Sequence, residues 1–341
     1  MFSLSFIGMT FTALGFYRSA DWCVSRAGRL ARLHCETWMQ GMVDHFRALH
    51  SYHVGHWKVA VSLADSAADQ CWQSGNIRLW SAVVGNAVMY RFALGDPRWL
   101  DEVDRFWSVV SETTDRQSQG WALTGIALAQ EHRGEHTQAL AMIDKAADIY
   151  ASVPDPRLLA HAWGVRCTNL LKLGRVAESI TCSEQAMVLI KRHHLSGSWT
   201  TRPLLASAEA RLARFEAAPA EQRAPSRRLA TVAVQVALRQ GRKVRDEGAV
   251  ESQRIAGTFA WLKGDRRRAD AHWQHGLADA HLLGARHAQA RLYFERGRRI
   301  GNRDDLERAE GLFAQCRAAG EQRELQAFLD AGDLGGATMG A

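Results

Sequence analysis

Residues 119–151 read QGWALTGIALAQEHRGEHTQALAMIDKAADIYA, and this stretch decides the fold. Before Gly134, the apolar residues Ala122, Leu123, Ile126 and Ala129 recur at helical spacing; after it, Ala139, Leu140, Ile143, Ala146, Ala147 and Tyr150 do the same. Two apolar stripes of helical period on either side of a polar HRGE joint make a pair of antiparallel helices. Glycine suits such a joint because it enters left-handed backbone without a side-chain clash. One hairpin cannot bury both stripes, so several copies must stack.

The unit recurs. Gly15, Gly55, Gly95, Gly134 and Gly174 stand 40, 40, 39 and 40 residues apart and close the segments TALG, SYHVG, RFALG, QEHRG and LLKLG. Five residues after each comes Ala20, Ala60, Leu100, Ala139 or Ser179, small in four copies, where a second helix must approach the first closely. Polar joints separate the copies: SGN before Ile77, TDRQSQG before Trp121 and SVPDPR before Leu158, the last stopped by Pro154 and Pro156. The period fails near residue 214, and EAAPAEQRAPSRR, Glu216 to Arg228, reads as a polar interruption. Gly264 and Ala269 then restore the five-residue spacing. The organisation expected is a first block over 1–214 with five hairpins, a linker over 215–228, a second block over 229–329 and a disordered tail over 330–341. The fold expected is all-α, a right-handed superhelix of seven to eight hairpins.

GHWKVAVSLADSAAD (55–69), GEHTQALAMIDKAADIY (134–150) and GRVAESITCSEQAMVLI (174–190) resemble the second helices of tetratricopeptide repeats. The run WLKGDRRRADAHWQHGLADAHLLGARHAQARLYFERGRRI (261–300) is similar to the C-terminal helical arms of large bacterial signalling ATPases fused to class III nucleotide cyclase or Ser/Thr kinase domains. That resemblance implies a regulatory arm whose concave groove takes a protein or peptide, with a signalling ATPase, cyclase or kinase as partner. It carries over no catalytic residue, because GxxxxGK followed by Ser or Thr, HRD and DFG are all missing. The arm stands here without the catalytic domains that precede it in those proteins, and its first helix, with Phe2, Leu4, Phe6, Ile7, Phe11 and Leu14, lacks the polar outer face of a terminal repeat. Either a free-standing regulator or the distal part of a split cyclase or ATPase enzyme fits. The apolar first helix also offers a surface for a second copy. A third reading is the effector-binding repeat domain of a transcription regulator, without a helix-turn-helix of its own after the repeats.

Composition agrees with a helical scaffold: six prolines and 47% hydrophobic residues. The net charge of +7 lies in the second part, since residues 1–201 hold 19 Lys and Arg against 18 acids and residues 202–341 hold 24 against 18. Arginines spread along helices without a recognition motif argue for a solvated surface and against nucleic acid. Cys23, Cys35, Cys71, Cys167, Cys182 and Cys316 form no CxxC pair and read as reduced, packed thiols of a cytoplasmic protein. The apolar stretch at residues 1–17 is too short to span a bilayer and runs into Arg18 and Asp21, so no membrane insertion is expected.

The search for chemistry finds little. GxSxG, HExxH and GxGxxG are absent, and the expectation is no enzyme, no cofactor and no metal. His45, His50, His53 and His56 crowd DHFRALHSYHVGHW, but only His50 and His53 share a helix face. His272 and His275 flank Trp273 in a similar pattern. Most of the twelve tryptophans should wedge between helices; His50, His53, Trp80, Trp121 and Trp163 are the residues expected to line a groove.

Overall fold

A computed structural model of the chain describes residues 2–34, 36–153 and 155–332. Cys35, Pro154 and nearly all of the expected tail lie outside the described residues. Seventeen α-helices are found among the described residues, and no strand. In chain order they are α1 (Phe2–Ala13), α2 (Tyr17–His34), α3 (Thr37–His53), α4 (Trp57–Gln73), α5 (Ile77–Leu94), α6 (Arg98–Val110), α7 (Arg116–His132), α8 (His136–Ser152) and α9 (Pro156–Lys172). They continue as α10 (Val176–Arg192), α11 (Thr201–Glu216), α12 (Ala220–Lys243), α13 (Glu247–Leu262), α14 (Arg266–Leu283), α15 (Arg286–Ile300), α16 (Arg303–Gln315) and α17 (Ala319–Asp330). A short 3-10 turn, Gly197–Thr200, leads into α11. The fold is all-α and solenoid-like.

The hairpin turns explain the glycine period. Gly15, Gly55, Gly95, Gly134, Gly174 and Gly264 have φ between +65° and +88°. At each, the next residue donates its N–H to a carbonyl five residues back, as in His56 to Ser51 (2.8 Å), Glu135 to Gln130 (2.8 Å) and Asp265 to Ala260 (3.0 Å). This is the Schellman closure, which satisfies helix-end carbonyls and requires a left-handed residue at the turn. Five residues on, Ala20, Ala60, Ala139, Ser179 and Ala269 are completely buried. Their small side chains sit where the second helix of the pair presses on the first.

The interruption expected over 215–228 is instead a tight turn followed by helix. α12 begins at Ala220 and runs 24 residues, with Pro225 inside it. Proline is tolerated there because it lies near the helix start and forfeits one backbone bond, while the apolar face beyond it packs well. That face carries Ala230, Val234 and Ala237, which share a buried cluster with Leu205, Leu212 and Phe215 of α11 and Ile255 of α13. Burial of an apolar stripe outweighs a polar, proline-bearing start.

The chain divides into two compact units, the first ending at Gly125 and the second beginning at Ile126, within α7. In the first, α3 packs on α4, α4 on α5, and α1 on both α2 and α3. Tyr52, Trp57 and Tyr90 stack there, and Trp99 meets Phe92 edge to face. In the second unit the odd-numbered helices pack on one another, α9 on α11, α11 on α13 and α13 on α15. They form an inner layer, while α10, α12, α14 and α16 lie outside. Close approach is built in at Gly257 of α13, which lies against the fully buried indole of Trp273 in α14.

The second unit also closes on itself. Gly320 at the start of α17 meets the backbone of the Gly134 turn. Lys172 Nζ of α9 donates to Glu324 Oε1 of α17 at 2.5 Å, and the Arg323 guanidinium donates to the Arg133 carbonyl. Two glycines facing each other let the last helix seat against the first turn of the unit.

Candidate functional site

The inner helices of the second unit carry polar side chains at helical spacing where a packing face would be apolar. α11 presents Arg202, Glu209 and Glu216; α13 presents Glu247, Glu251, Arg254 and Thr258; α15 presents His287, Arg291, Glu295 and Arg299. Offsets of three, four, seven and eight keep each set on one face. α9 adds Asn169 and Lys172, and α17 adds Glu321 and Glu324.

These groups bind one another across helices. Arg254 pairs with Glu209 of α11 and, at 2.7 Å, with Glu251 of its own helix. Arg291 reaches Glu209 and Glu251, both at 3.2 Å. Arg202 pairs with Glu131 of α7, whose other oxygen accepts from Asn169 at 2.9 Å. Thr258 donates to Glu295 at 2.7 Å, and Arg299 joins Glu295 to Glu216. Side-chain exposures of 25% for Arg291 and 17% for Glu209 show that solvent still reaches the layer.

Charge compensation is uneven. Burial raises the Glu209 carboxyl, but Arg254 and Arg291 overcome it and hold the group down at about 2. Glu247 goes the other way: burial, with Asp246 and Glu251 adding repulsion against the attraction of Arg202, pushes it up to about 7. No ion pair within 4.0 Å neutralises it among the described residues. Glu251 Oε1, Gln130 Oε1 and Glu321 Oε2 are buried acceptors without a hydrogen-bond partner among the described residues. Buried acceptors normally find donors. Around Glu247 and Glu251 the layer is therefore short of positive charge, and it suits a ligand that brings a cation.

A second cluster sits at the seam where α17 closes. His287 Nε2 lies 3.0 Å from Glu321 Oε1. The His132 and His287 rings meet edge to face with centroids 4.8 Å apart, and His132 Nε2 lies 2.9 Å from the Cys316 carbonyl. A carbonyl only accepts, so His132 Nε2 carries the proton. Burial, helped by the neighbouring His287, holds His132 down at about 4.

The residues expected to line a groove are dispersed. His50 is buried in the first unit, with Nδ1 2.7 Å from the Thr12 hydroxyl, and His53 bonds the Leu49 carbonyl at 2.7 Å. His45 is buried as well, and desolvation pushes it down to about 4. Trp80 is 2% exposed and wedged between Trp72 and Phe106, which removes it from any groove. Trp121 is half-buried under the Arg78 guanidinium at 5.0 Å, and Trp163 of α9 is half-buried with its carbonyl 3.5 Å from Cys182 Sγ. His272 bonds Gln253 at 2.8 Å, and His275 lies 3.5 Å from Asp279. The five cysteines described are buried free thiols.

Solved structures that share this fold include two Rap proteins. One is described as a Rap protein complexed with competence and sporulation factor: TM-score 0.64, 11% identity, covering 95% of this chain and 83% of that one. The other is the apo form of RapI: TM-score 0.56, 10% identity, 83% of this chain and 98% of that one. At these identities the likeness is one of fold alone, a tetratricopeptide-like helical-repeat fold. No protein-family model matches the sequence, and no curated protein does. No described helix is long and apolar enough to cross a membrane.

The charged stripes were open to sequence reading as charges repeating at helical spacing on first helices, such as Glu247, Glu251 and Arg254. A solvated face gives the same pattern. Only packing of odd helices on one another turns those stripes inward.

Proposed function

We propose that the chain is a non-catalytic scaffold of bacterial signalling that binds a peptide or protein segment on the inner layer of its second unit, with a cationic group of the ligand seated by Glu247 and Glu251. The observation that carries this reading is the uncompensated acid there: burial pushes Glu247 up to about 7, and one turn on Glu251 Oε1 is a buried acceptor without a hydrogen-bond partner among the described residues. An ammonium or guanidinium would supply the missing charge and donors, and charge-assisted bonds of this kind are among the stronger ones in proteins. The likeness to a Rap protein complexed with a factor supports the same reading at the level of fold. The resemblance of residues 261–300 to arms of signalling ATPases supports a regulatory role beside a separate catalytic partner.

Selecting a displayed random decapeptide library on the immobilised chain tests this reading. Binders should be enriched in Lys, Arg or a free amino terminus and should lose at least about tenfold in affinity to Glu247→Gln. That variant removes a destabilising charge, so loss of binding would not reflect unfolding. Failure to enrich any sequence, or binders indifferent to the substitution, would reject the assignment.

A further inference from the structure

We infer that His132, His287 and Glu321 form a divalent-metal site, suited to Zn²⁺, that clasps the last helix of the second unit to its first. The three side chains come from α7, α15 and α17, far apart in sequence, and one ligand atom from each lies within 4.8 Å of the others. Two imidazoles and a carboxylate are a familiar zinc donor set, with a water completing the tetrahedron. Bonds of about 2.0 Å place tetrahedral donors roughly 3.3 Å apart, so the cluster needs only side-chain rotation to tighten.

The surroundings have the features of an outer coordination shell. His132 donates Nε2–H to the Cys316 carbonyl at 2.9 Å, which puts its lone pair on Nδ1 and fixes the ring. Metal-bound histidines generally donate their second nitrogen in this way. Glu321 Oε1 is engaged by His287, while Oε2 is buried without a hydrogen-bond partner among the described residues. A hydrogen-bonded latch alone accounts for the first oxygen and leaves the second unexplained. The metal takes the place of the proton between His287 Nε2 and Glu321 Oε1; that proton moves to Nδ1 of His287 or to solvent. Gly134 against Gly320, Lys172 with Glu324 and Arg323 with the Arg133 carbonyl already hold α17 where its carboxylate is needed.

The test uses the full-length, tag-free chain, stripped with EDTA and dialysed, at pH 7.5. Titration with ZnSO₄ against a chromogenic chelator should show one equivalent bound more tightly than about 10 μM, and CoCl₂ should give the visible absorption of a four-coordinate ion. Zn²⁺ should raise the melting temperature by about 5 °C at a hundredfold excess over Kd. It should also slow amide exchange in residues 319–330. Glu321→Gln and His287→Gln should each weaken binding at least about tenfold, whereas His193→Gln with His194→Gln, a surface pair, should not. Tight binding unchanged by the first two substitutions, absence of a bound equivalent, or bound metal with no slowing in α17 would overturn the assignment. The exchange measurement is made on the unsubstituted chain, so it holds even if a variant fails to fold.

Discussion

Adding one methyl group at Gly320 should open the seam of the second unit. A Cβ at this position would stand 2.8 Å from the Gly134 nitrogen, 3.0 Å from its Cα and 3.2 Å from the His132 carbonyl oxygen. All three are backbone atoms, and Gly134 is held at φ +74° by its turn, so no side chain can swing aside. Relieving the closest contact needs a shift of about 0.6 Å, and overpacking of this kind costs about 1–3 kcal/mol. The helix propensity of alanine over glycine returns up to about 1 kcal/mol. Gly320→Ala should therefore favour opening of α17 by about 1–2 kcal/mol. In native-state amide exchange this appears as roughly five- to thirtyfold faster exchange over α17, with α13 little changed. Gly311 of α16 is the control, because a Cβ there meets nothing within 4 Å. Gly311→Ala should stabilise by about 0.5–1 kcal/mol. Unchanged or slower exchange in α17 of Gly320→Ala, or destabilisation by Gly311→Ala, would refute the argument that α17 is seated by backbone contact between two glycines.

Other outcomes follow from the inner layer and the first helix. Glu247 titrates near 7 in the folded chain, above an ordinary carboxylate, so its contribution to stability is lost as pH rises from about 4.5 to 7. Glu247→Gln should raise the melting temperature at pH 8 and leave it unchanged at pH 4, as read by thermal circular dichroism. Glu209 is the reverse case: held at about 2, it contributes stability above about 4.5 that is lost as pH falls towards 2. Glu209→Gln leaves Arg254 and Arg291 short of a counter-charge and should cost about 3–5 kcal/mol in urea unfolding at pH 7. In the first unit Phe6 and Ile7 are 60% and 45% exposed. If a second copy covers α1, sedimentation should show a dimer that Phe6→Asp with Ile7→Asp converts to monomer; a wild-type monomer at 100 μM or so would dispose of that surface.

How much was legible in advance differs between fold and site. The hairpin turns were visible because a left-handed turn residue is a local demand that glycine meets, and stacking repeats it every 40 residues at Gly15, Gly55 and Gly95. The small residues five positions on were visible for the same local reason. α12 was not, because Pro225 and a polar start are local signals against a helix, while the cluster joining Phe215, Val234 and Ile255 is a long-range one. Trp80 and His50 illustrate the same limit: a large or polar side chain at a repeat joint can face a groove or the core, and neighbouring helices decide which.

What the sequence by itself determined was the unit of construction: two amphipathic helices, a glycine turn and a small contact residue, each dictated within about ten residues along the chain. Only the tertiary structure decided that charged stripes on α11, α13 and α15 face one another, and that His132, His287 and Glu321 meet at one seam. The reason is physical. Helical periodicity says which residues share a face, but whether that face meets water or another helix depends on burial contributed by segments more than 150 residues away, as Lys172 with Glu324 shows.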